Sequence, residues 1–392
     1  MRSHNASLSP LLLDTINQLV GKAGLSREKG VKAIAGLSKL FTIERDMLSQ
    51  PYLDDPAFAA AYLQYFLPVN LSKIQVLLDE MPAVESSGRF SVLDLGSGPG
   101  TGALAVLDWW HQRKHSGTVS MVAVDNAAGA LHQAERLWNS YLQAAGVTTA
   151  RLHTRQTDVE RGTWVEPMKK QAPFDLIILA NCLNEIYSSV RDPIPARTGL
   201  VAELLTLLPP HGTMMIVEPA LRETSRALHQ VRDRLLQEKR CTVYSPCLHE
   251  RNCPALVNFN DWCHEERAWQ PPLEIQEIDE AVGFIKDALK FSYLLLRKDG
   301  KTIIERRSDV YRVVSELREL KGEKRAWLCN ETGRPEVGRL DRKASPHNAA
   351  VDSWHRGAIV QIERIVRKER EGKVSPVGRI ESDAAVQIIR PV

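Results

Sequence analysis

From residue 90 to residue 219, short apolar runs alternate with segments that have the spacing of amphipathic helices. The apolar runs are FSVLDL, VSMVAVD, FDLIILAN and TMMIVEP, and the helical segments include TGALAVLDWWHQR, AAGALHQAERLWNSYLQAAG and TGLVAELLTLL. Short apolar runs of this kind, each followed by a helix, are typical of strands buried on both faces of a parallel sheet. The sequence therefore predicts an α/β fold: a doubly wound, Rossmann-like sheet with helices on both faces.

Different patterns flank this region. Residues 1–85 have apolar spacings of three and four, which predict a helical N-terminal region. We expect the sheet-containing domain to span residues 86–305, with an irregular, cysteine-rich insertion at 241–273 that strand-like IQEID and KFSYLLLRK follow. Residues 306–392 contain short β runs separated by turn residues, and we expect them to form a small basic β module.

The composition narrows the function classes. The chain has 392 residues, of which 43% are hydrophobic and 25% are charged, as in ordinary globular proteins. No apolar run reaches 18 residues, and the N-terminus has no signal-peptide cleavage pattern. We therefore expect a monomer without membrane contact in the reducing cytoplasm, where the six cysteines are thiols or ligands rather than disulfides.

Charge is unevenly distributed along the chain. Residues 301–392 carry 20 Lys and Arg against 14 Asp and Glu, although the whole chain has a net charge of only +3. A basic C-terminal part on a slightly acidic body suggests an anionic partner such as RNA. The alternative is a solvated surface of mixed charge.

The first predicted strand runs into the glycine-rich turn DLGSGPGTG. A dinucleotide fingerprint requires G-x-G-x-x-G, and Thr101 stands where its third glycine would fall. The pattern present is D-x-G-x-G-x-G, formed by Asp94, Gly96, Gly98 and Gly100. This pattern resembles the first motif of class I S-adenosylmethionine-dependent methyltransferases; the alternative is a tight strand–helix connection without a ligand.

The methyltransferase resemblance implies a set of cofactor contacts. The turn would pass the amino-acid portion of the cofactor while Asp94 holds its ammonium group. Asp125, at the end of the second strand, would take the ribose hydroxyls, and Asp158 would contact the adenine amine. The implied cofactor-binding residues are Asp94, Gly96, Ser97, Gly98, Gly100, Asp125, Asp158 and Asn181.

No set of residues commits the chain to methyl transfer. The segment Asn181-Cys182-Leu183-Asn184 contains no proline, so the Asn/Asp-Pro-Pro-aromatic loop that grips a base amine is missing. Weak catalytic candidates are Asn181, Cys182 as a nucleophile and Glu185 as a base. A small buried apolar residue is the alternative for Cys182, and a helix cap is the alternative for Glu185.

Four cysteines fall in or beside the irregular insertion. Cys241, Cys247, Cys253 and Cys263 are separated by five, five and nine residues, so the paired C-x-x-C knuckles of a zinc ribbon are absent. Loosely spaced thiolates suit an iron–sulfur cubane as well as a tetrahedral ion. His249 and His264 are further candidate ligands, and buried thiols without a metal are the alternative.

A more specific resemblance involves these cysteines. The run PCLHERNCPAL, then DWCHEE, then KFSYLLLRK, then the isolated Cys329 is similar to the mitochondrial small-ribosomal-subunit assembly family of methyltransferase-like proteins and its bacterial relatives. Two further segments are similar to the same family: AAYLQYFLPVNLSKIQVLLDEMP and VEPALRE. The resemblance implies a [4Fe-4S] cluster held by four cysteines, with zinc as the main alternative. The implied metal ligands are Cys247, Cys253, Cys263 and Cys329, whereas a local set would use Cys241 instead of Cys329.

The same resemblance implies a function. We expect a protein that binds S-adenosylmethionine and acts on the small ribosomal subunit or its rRNA during assembly. One alternative is a catalytically active rRNA methyltransferase. A second alternative is a small-molecule methyltransferase with a structural zinc site.

Overall fold

The fold is described from a computed structural model. It describes residues 8–391 except residues 22–23, 25, 45–52, 54, 86, 285 and 371–372. The described α-helices are α1 Pro10–Gly21, α2 Arg27–Thr42, α3 Pro56–Ala61, α4 Leu67–Glu80, α5 Thr101–Gln112, α6 Ala128–Ala145, α7 Val165–Lys169, α8 Ile194–Thr206, α9 Arg222–Gln237 and α10 Leu273–Val282. A π-helical turn, Tyr62–Phe66, joins α3 to α4.

The strands fall into two large sheets and one short hairpin. The described strands are β1 Arg89–Leu95, β2 Thr118–Asp125, β3 Ala150–Gln156, β4 Leu176–Ala180, β5 Thr213–Pro219, β6 Thr242–Ser245, β7 Glu265–Ala268, β8 Ala288–Arg297, β9 Val310–Val313, β10 Arg318–Leu320, β11 Glu323–Cys329, β12 Glu336–Leu340, β13 Ile359–Ile362, β14 Glu369–Arg370, β15 Lys373–Val374, β16 Val377–Arg379 and β17 Val386–Arg390.

The first sheet has the order β3-β2-β1-β4-β5-β8-β6, and β7 also pairs with β8. Strands β1 to β5 are parallel to one another, whereas β8 runs antiparallel to β5 and β6. One hydrophobic cluster packs α5 and α6 on one face, and a second packs α8 and α9 on the other. The predicted doubly wound, Rossmann-like α/β fold is therefore confirmed.

The N-terminal helices pack on the first face of this sheet. Leu12 of α1, Leu37 of α2 and Leu77 of α4 are fully buried in the same cluster as α5. Asp55 caps α3 by accepting from the backbone N–H groups of Ala57 and Phe58. The helical prediction is thus confirmed over the described part of residues 1–85, while residues 1–7 and 45–52 lie outside it. The domain boundary placed at residue 85 stays a prediction.

One predicted strand is wrong. The segment IQEID is part of α10, not a strand. Ile275 and Ile278 are buried together because their spacing of three places both on one face of a helix. Asp279 is buried on that helix as well and accepts a hydrogen bond from the Tyr65 hydroxyl. Gly283 ends the helix in the left-handed conformation.

The C-terminal β runs form the second sheet, with the order β16-β12-β11-β9-β13-β17 and β10 beside β11. Its core contains Val313, Leu328 and Val360, each fully buried. A smaller cluster joins it to the loop between β6 and β7, residues 246–264, which we call the cysteine-rich loop, because Leu248 packs with Val310 and Ile359. The boundary placed at residue 305 stays a prediction.

A buried ionic network connects the helices, the first sheet and the second sheet. Glu80 of α4 accepts from Ser245 and Tyr293 at 2.5 Å and from Arg267 at 2.7 Å. Arg267 also contacts Glu265 at 3.3 Å. From the second sheet, Arg312 donates to Glu265 and to the Tyr293 hydroxyl. Burial raises the pKa of Glu80, but the charges of Arg267 and Arg312 outweigh it and lower that pKa to about 2.

None of the described helices is both long and apolar enough to cross a membrane.

We expect Glu80→Gln to lower the free energy of unfolding by about 3–5 kcal/mol at pH 7, because it leaves buried arginines without one of their carboxylates. The pKa of Glu80 is lower in the folded chain than in the unfolded one, so its contribution is fully present above about pH 5 and is lost towards pH 2. Urea unfolding of both proteins between pH 7 and pH 3 measures the difference, which should shrink as the pH falls. Glu85→Gln, at an exposed position, is the control. A loss below about 1 kcal/mol at pH 7 would contradict this role.

Candidate functional site

A large cavity opens at the carboxyl ends of the parallel strands. The strand order reverses between β1 and β4, so the loops after these strands diverge and leave a crevice, which is where open α/β sheets bind ligands. The cavity has a volume of about 1030 Å³. We call it the glycine-turn cavity, because Gly96, Ser97 and Gly98 form part of its wall.

The turn between β1 and α5 needs its glycines for different reasons. Gly96, Gly98 and Gly100 all have positive φ, of 68°, 52° and 89°. A Cβ on Gly96 would lie 2.5 Å from the Cβ of Cys182, and one on Gly100 would lie 2.9 Å from that of Ala134. A Cβ on Gly98 would meet no atom within 4 Å. Gly98 is therefore the point at which a ligand can approach the backbone.

Asp94 lies beneath the turn rather than on the cavity wall. It is fully buried, and its Oδ2 accepts from the backbone N–H of Ala103 at 2.9 Å. A Cβ on Gly102 would come within 2.5 Å of its Oδ1, so the first turn of α5 is built around this carboxyl group. Burial raises the pKa of Asp94 to about 7, although the N–H of Ala103 opposes the shift. A contact from Asp94 to an ammonium group stays a prediction.

Asp125 connects the second strand to the turn. Its Oδ2 accepts from the N–H of Gly98 at 2.8 Å, and its Oδ1 accepts from the N–H of Ala127 at 2.9 Å. Burial raises the pKa of Asp125, although these N–H groups oppose the shift. The side chain lines the cavity, so a carboxylate stands beside Gly98 where the sequence predicts one for ribose hydroxyls.

Asp158 and Asn181 also line the cavity. The carboxylate of Asp158 is engaged locally, because it accepts from the N–H of Glu160 at 2.9 Å and pairs with Arg161 at 3.1 Å. Asn181 has a positive φ of 57°, and its N–H donates to the carbonyl of Val217 at 2.7 Å. Both residues stand at the ends of strands, as predicted, while their contacts to a cofactor stay predictions.

Cys182 packs against the glycine turn, and its Sγ lies 3.2 Å from the carbonyl oxygen of Leu95. Burial raises the pKa of Cys182 well above its usual range, and Glu218 and Glu185 add to the shift. The thiol is therefore neutral near pH 7, which does not suit a nucleophile. Glu185 is exposed on the cavity rim. A role for Asn181, Cys182 or Glu185 in catalysis stays a prediction.

Two features of this region lie in segments that carry the family resemblance, VEPALRE and AAYLQYFLPVNLSKIQVLLDEMP, but the sequence did not assign their residues to the site. Glu218 of β5 is buried, and burial raises its pKa to about 8. The N-terminal helices supply a whole wall of the cavity, which includes Tyr62, Asn70 and Lys73. Their spacing of eight and three could have indicated a common helical face, but an N-terminal helix does not by itself point to a site later in the chain.

A second, smaller cavity of about 30 Å³ lies between the cysteine-rich loop and the second sheet. Its wall includes Cys247, Cys253, Cys263 and Cys329, so strand β11 brings Cys329 to the three cysteines of the loop. We call it the thiol cavity. Cys241 is not part of this wall; it packs beside the cluster beneath α8 and α9.

Cys253 is buried and the other three cysteines of this cavity are half-buried, and their thiols are close enough to influence one another. Burial raises the pKa of Cys253 to about 12, with a further contribution from Cys247. Burial likewise raises the pKa of Cys263 and of Cys329. His249 also lines the cavity, with its Nε2 at 3.6 Å from the Sγ of Cys329. Within the described residues, however, no group of three or more His, Cys, Asp or Glu side chains is arranged to hold a metal ion.

Arginines surround the thiol cavity. Arg232 is fully buried and donates to the carbonyls of His249 at 2.6 Å and Arg251 at 2.8 Å, which holds the loop against α9. The Nε groups of Arg232 and Arg334 are buried and have no hydrogen-bond partner among the described residues. Unpartnered buried donors are costly, so the Nε of Arg334, which lines the cavity, suits an anionic acceptor there, and the charge of Arg232 acts on Cys247 and Cys253 from behind the wall.

Comparison with protein families gives one match: the family model described as mitochondrial small ribosomal subunit Rsm22 matches residues 56–343. This range includes the glycine turn and the four cysteines of the thiol cavity. A search of curated proteins gives no match.

Solved structures give weaker likenesses. NSun6 from Pyrococcus horikoshii is 13% identical, with a TM-score of 0.34, over 59% of this chain and 52% of its own. The mitomycin 7-O-methyltransferase MmcR is 11% identical, with a TM-score of 0.33, over 66% of this chain and 59% of its own. A methyltransferase from Pyrococcus furiosus is 13% identical, with a TM-score of 0.34, over 58% of this chain and 82% of its own. The chain spans about half the length of the first two, and scores this low carry no information on substrate or reaction.

We expect Cys182 to resist alkylation in the native protein, because the thiolate is the reactive form and the raised pKa keeps it protonated. Iodoacetamide at pH 8, followed by peptide mass spectrometry, should leave Cys182 unmodified in native protein and modify it in urea. A cysteine introduced by Lys170→Cys at an exposed site serves as the positive control. Native labelling of Cys182 at the rate of that control would restore it as a candidate nucleophile.

Proposed function

This chain belongs to the family described as mitochondrial small ribosomal subunit Rsm22, and we propose that it is an S-adenosylmethionine-binding, methyltransferase-like protein that acts on the small ribosomal subunit or its rRNA. The observation that carries the proposal is the open position at Gly98, beside the carboxylate of Asp125, in a cavity at the switch point of the sheet. Family membership supports the ribosomal partner.

The residues of the glycine-turn cavity fit the proposed cofactor. Gly98 leaves room for a ligand to reach the backbone, and the Ser97 hydroxyl is buried without a hydrogen-bond partner among the described residues. Asp125 offers a carboxylate for ribose hydroxyls, and Asn181 and Asp158 complete the wall. When bound, the cofactor would supply an activated methyl group.

The exposed cations of the second sheet support an RNA partner. Lys321, Arg342, Arg367 and Lys368 are exposed, and none of them forms an ion pair with a described carboxylate. Many other arginines of this sheet are already engaged, as Arg325 and Arg379 are with Glu323. We propose that the free cations contact rRNA phosphates, which is how proteins bind RNA without reading its bases.

Two functions of different classes use this site. An assembly factor would bind RNA and keep the cofactor as a structural or sensing element, whereas an rRNA methyltransferase would use it chemically. The neutral thiol of Cys182 and the missing Pro-Pro-aromatic loop favour the assembly factor. The open turn and Asp125 keep the methyltransferase as the second candidate.

We expect Gly98→Arg to abolish cofactor binding, because the new side chain would project into the glycine-turn cavity. Gly146→Arg is the matched control: its φ of 65° imposes the same backbone strain, and its Cβ also meets no atom, but it caps α6 away from the cavity. Calorimetric titration with S-adenosylhomocysteine measures the loss. Equal affinity in both variants would contradict the cofactor site.

Labelled S-adenosylmethionine mixed with small-subunit particles from a deletion strain separates the two functions. Label on one nucleotide that Gly98→Arg removes and Gly146→Arg retains would establish an rRNA methyltransferase. Cofactor binding without transfer, together with particle binding, supports the assembly factor.

We propose further that Cys247, Cys253, Cys263 and Cys329 hold a [4Fe-4S] cluster, with zinc as the alternative. The four thiols share one cavity, and the unpartnered Nε groups of Arg232 and Arg334 suit the negative charge of such a cluster. A metal in this position would tie β11 to the cysteine-rich loop, so its binding free energy would become folding free energy for that interface. A small-molecule methyltransferase with structural zinc is the remaining alternative.

We expect Cys329→Ser to lose the metal and Cys241→Ser to keep it, because only the former lines the thiol cavity. Wild-type protein purified without oxygen should be brown, absorb at about 400 nm and contain about four irons per chain. Iron, zinc and sulfide analysis of the three proteins measures the outcome. One zinc per chain would replace the cluster with the alternative, and loss of metal in Cys241→Ser would overturn the ligand set.

A further inference from the structure

The glycine-turn cavity extends well beyond the turn itself. Its volume of about 1030 Å³ stands at the upper end of the roughly 300–1,000 Å³ that is typical of a pocket for one small molecule. The second wall comes from α2, the π-helical turn, α4 and the segment before β8. The cofactor proposed above would contact the turn, so the space along this second wall is available to another ligand.

Aromatic rings form one part of the second wall. Phe41, Tyr62 and Phe66 all line the cavity. The rings of Phe41 and Phe66 meet edge to face at 5.1 Å, and those of Tyr62 and Phe66 stack at 6.1 Å. The π-helical turn displaces the residues of Tyr62–Phe66 from a regular α-helix, and such turns frequently occur at functional sites. Aromatic faces of this kind bind planar bases by stacking.

Two lysines form another part of this wall. The Nζ of Lys73 donates to Asn70 Oδ1 at 3.0 Å, and the Nζ of Lys286 lies 4.7 Å above the ring of Tyr65. Within the described residues, no carboxylate forms an ion pair with either lysine. Burial, and then the charge of Lys286, lower the pKa of Lys73 to about 7. Asp279 attracts Lys286, whereas only burial and the charge of Lys286 shift the pKa of Lys73. The two neighbouring ammonium groups repel each other, and an anion bound between them would stabilise both.

A chain of side-chain hydrogen bonds connects these lysines to the glycine turn. Tyr62 hydrogen-bonds to Thr101, the first residue of α5. Asn70 Nδ2 lies 3.5 Å from the Tyr62 hydroxyl, and Asn70 Oδ1 accepts from Lys73. Lys73 is therefore held in a fixed relation to the turn rather than free in solvent.

We propose that Lys73 and Lys286 bind the phosphate of a nucleotide substrate whose base packs against Phe66 and its aromatic neighbours. The inference rests on the proposed function, because it names the substrate class of the same cavity. The carboxylate of the cofactor is the other anion that could contact the lysines, and the experiment separates the two.

The probes are the four nucleoside 5′-monophosphates and the matching nucleosides, titrated calorimetrically with and without saturating S-adenosylhomocysteine. Wild-type protein should bind at least one monophosphate about tenfold more tightly than its nucleoside, as a charge-assisted contact provides. Lys73→Met and Lys286→Met should remove that difference and leave S-adenosylhomocysteine affinity within about twofold. Phe66→Leu should weaken monophosphate and nucleoside alike. Lys170→Met, at an exposed site, should change neither the preference for the monophosphate nor the affinity for S-adenosylhomocysteine.

The outcomes are distinct. Equal affinity for monophosphate and nucleoside, or no binding of either while S-adenosylhomocysteine binds, overturns the inference alone. Loss of S-adenosylhomocysteine binding in Lys73→Met assigns the lysines to the cofactor and also overturns it. Failure of wild-type protein to bind S-adenosylhomocysteine contradicts the proposed function, and the titrations without it still test the lysines. Methionine is unbranched like lysine, is one atom shorter and carries no charge, so both variants should fold, which circular dichroism checks. A short oligoribonucleotide that binds more tightly than the monophosphate identifies the substrate as a nucleotide within RNA.

Discussion

The buried network around Glu80 and Glu265 is the constraint on which both cavities depend. Glu80 ends α4, the helix that carries Asn70 and Lys73 into the glycine-turn cavity. Glu265 lies two residues after Cys263 of the cysteine-rich loop, and its partner Arg312 belongs to the second sheet. Buried charges are tolerated only when they are paired with good geometry. Because each carboxylate here needs arginines from other elements, the helical wall, the loop and the second sheet can be placed in few ways relative to one another.

The parts of the fold that follow from local rules could be predicted from the sequence. The apolar runs that became β1, β2, β4 and β5 are buried on both faces, so their composition identifies them. The glycine turn is equally local, since a strand end, positive φ and a helix start are encoded within a dozen residues. The wrong prediction at IQEID has a local cause as well. Five residues with two isoleucines fit a short strand, but the segment forms a helix because that buries both isoleucines on one face.

Contacts between distant segments could not be predicted by such rules. The local sequence does not show that these charged residues meet. Glu80 and Arg267 are 187 residues apart, and Glu265 and Arg312 are 47 residues apart. The same holds for the lysine wall, which depends on α4 packing across the carboxyl ends of the strands. Cys329 lies between these two cases. Local rules do not place it, but the family resemblance groups it with the loop cysteines, and the pairing of β11 with β9 brings it into the thiol cavity.

The wall residues of the two cavities suit different kinds of ligand. In the thiol cavity, four cysteines lie near arginine Nε groups that lack acceptors among the described residues, so a metal group whose thiolates and sulfides accept hydrogen bonds would suit both. In the glycine-turn cavity, Asp125 accepts from backbone N–H groups, whereas Lys73 forms no ion pair with a described carboxylate and is repelled by Lys286. The end at Asp125 therefore suits a neutral group with hydroxyls, and the end at Lys73 suits a group with a negative charge. A ligand pair that comprises a nucleoside-like cofactor and a phosphate-bearing substrate meets both requirements, and a single neutral ligand meets only one.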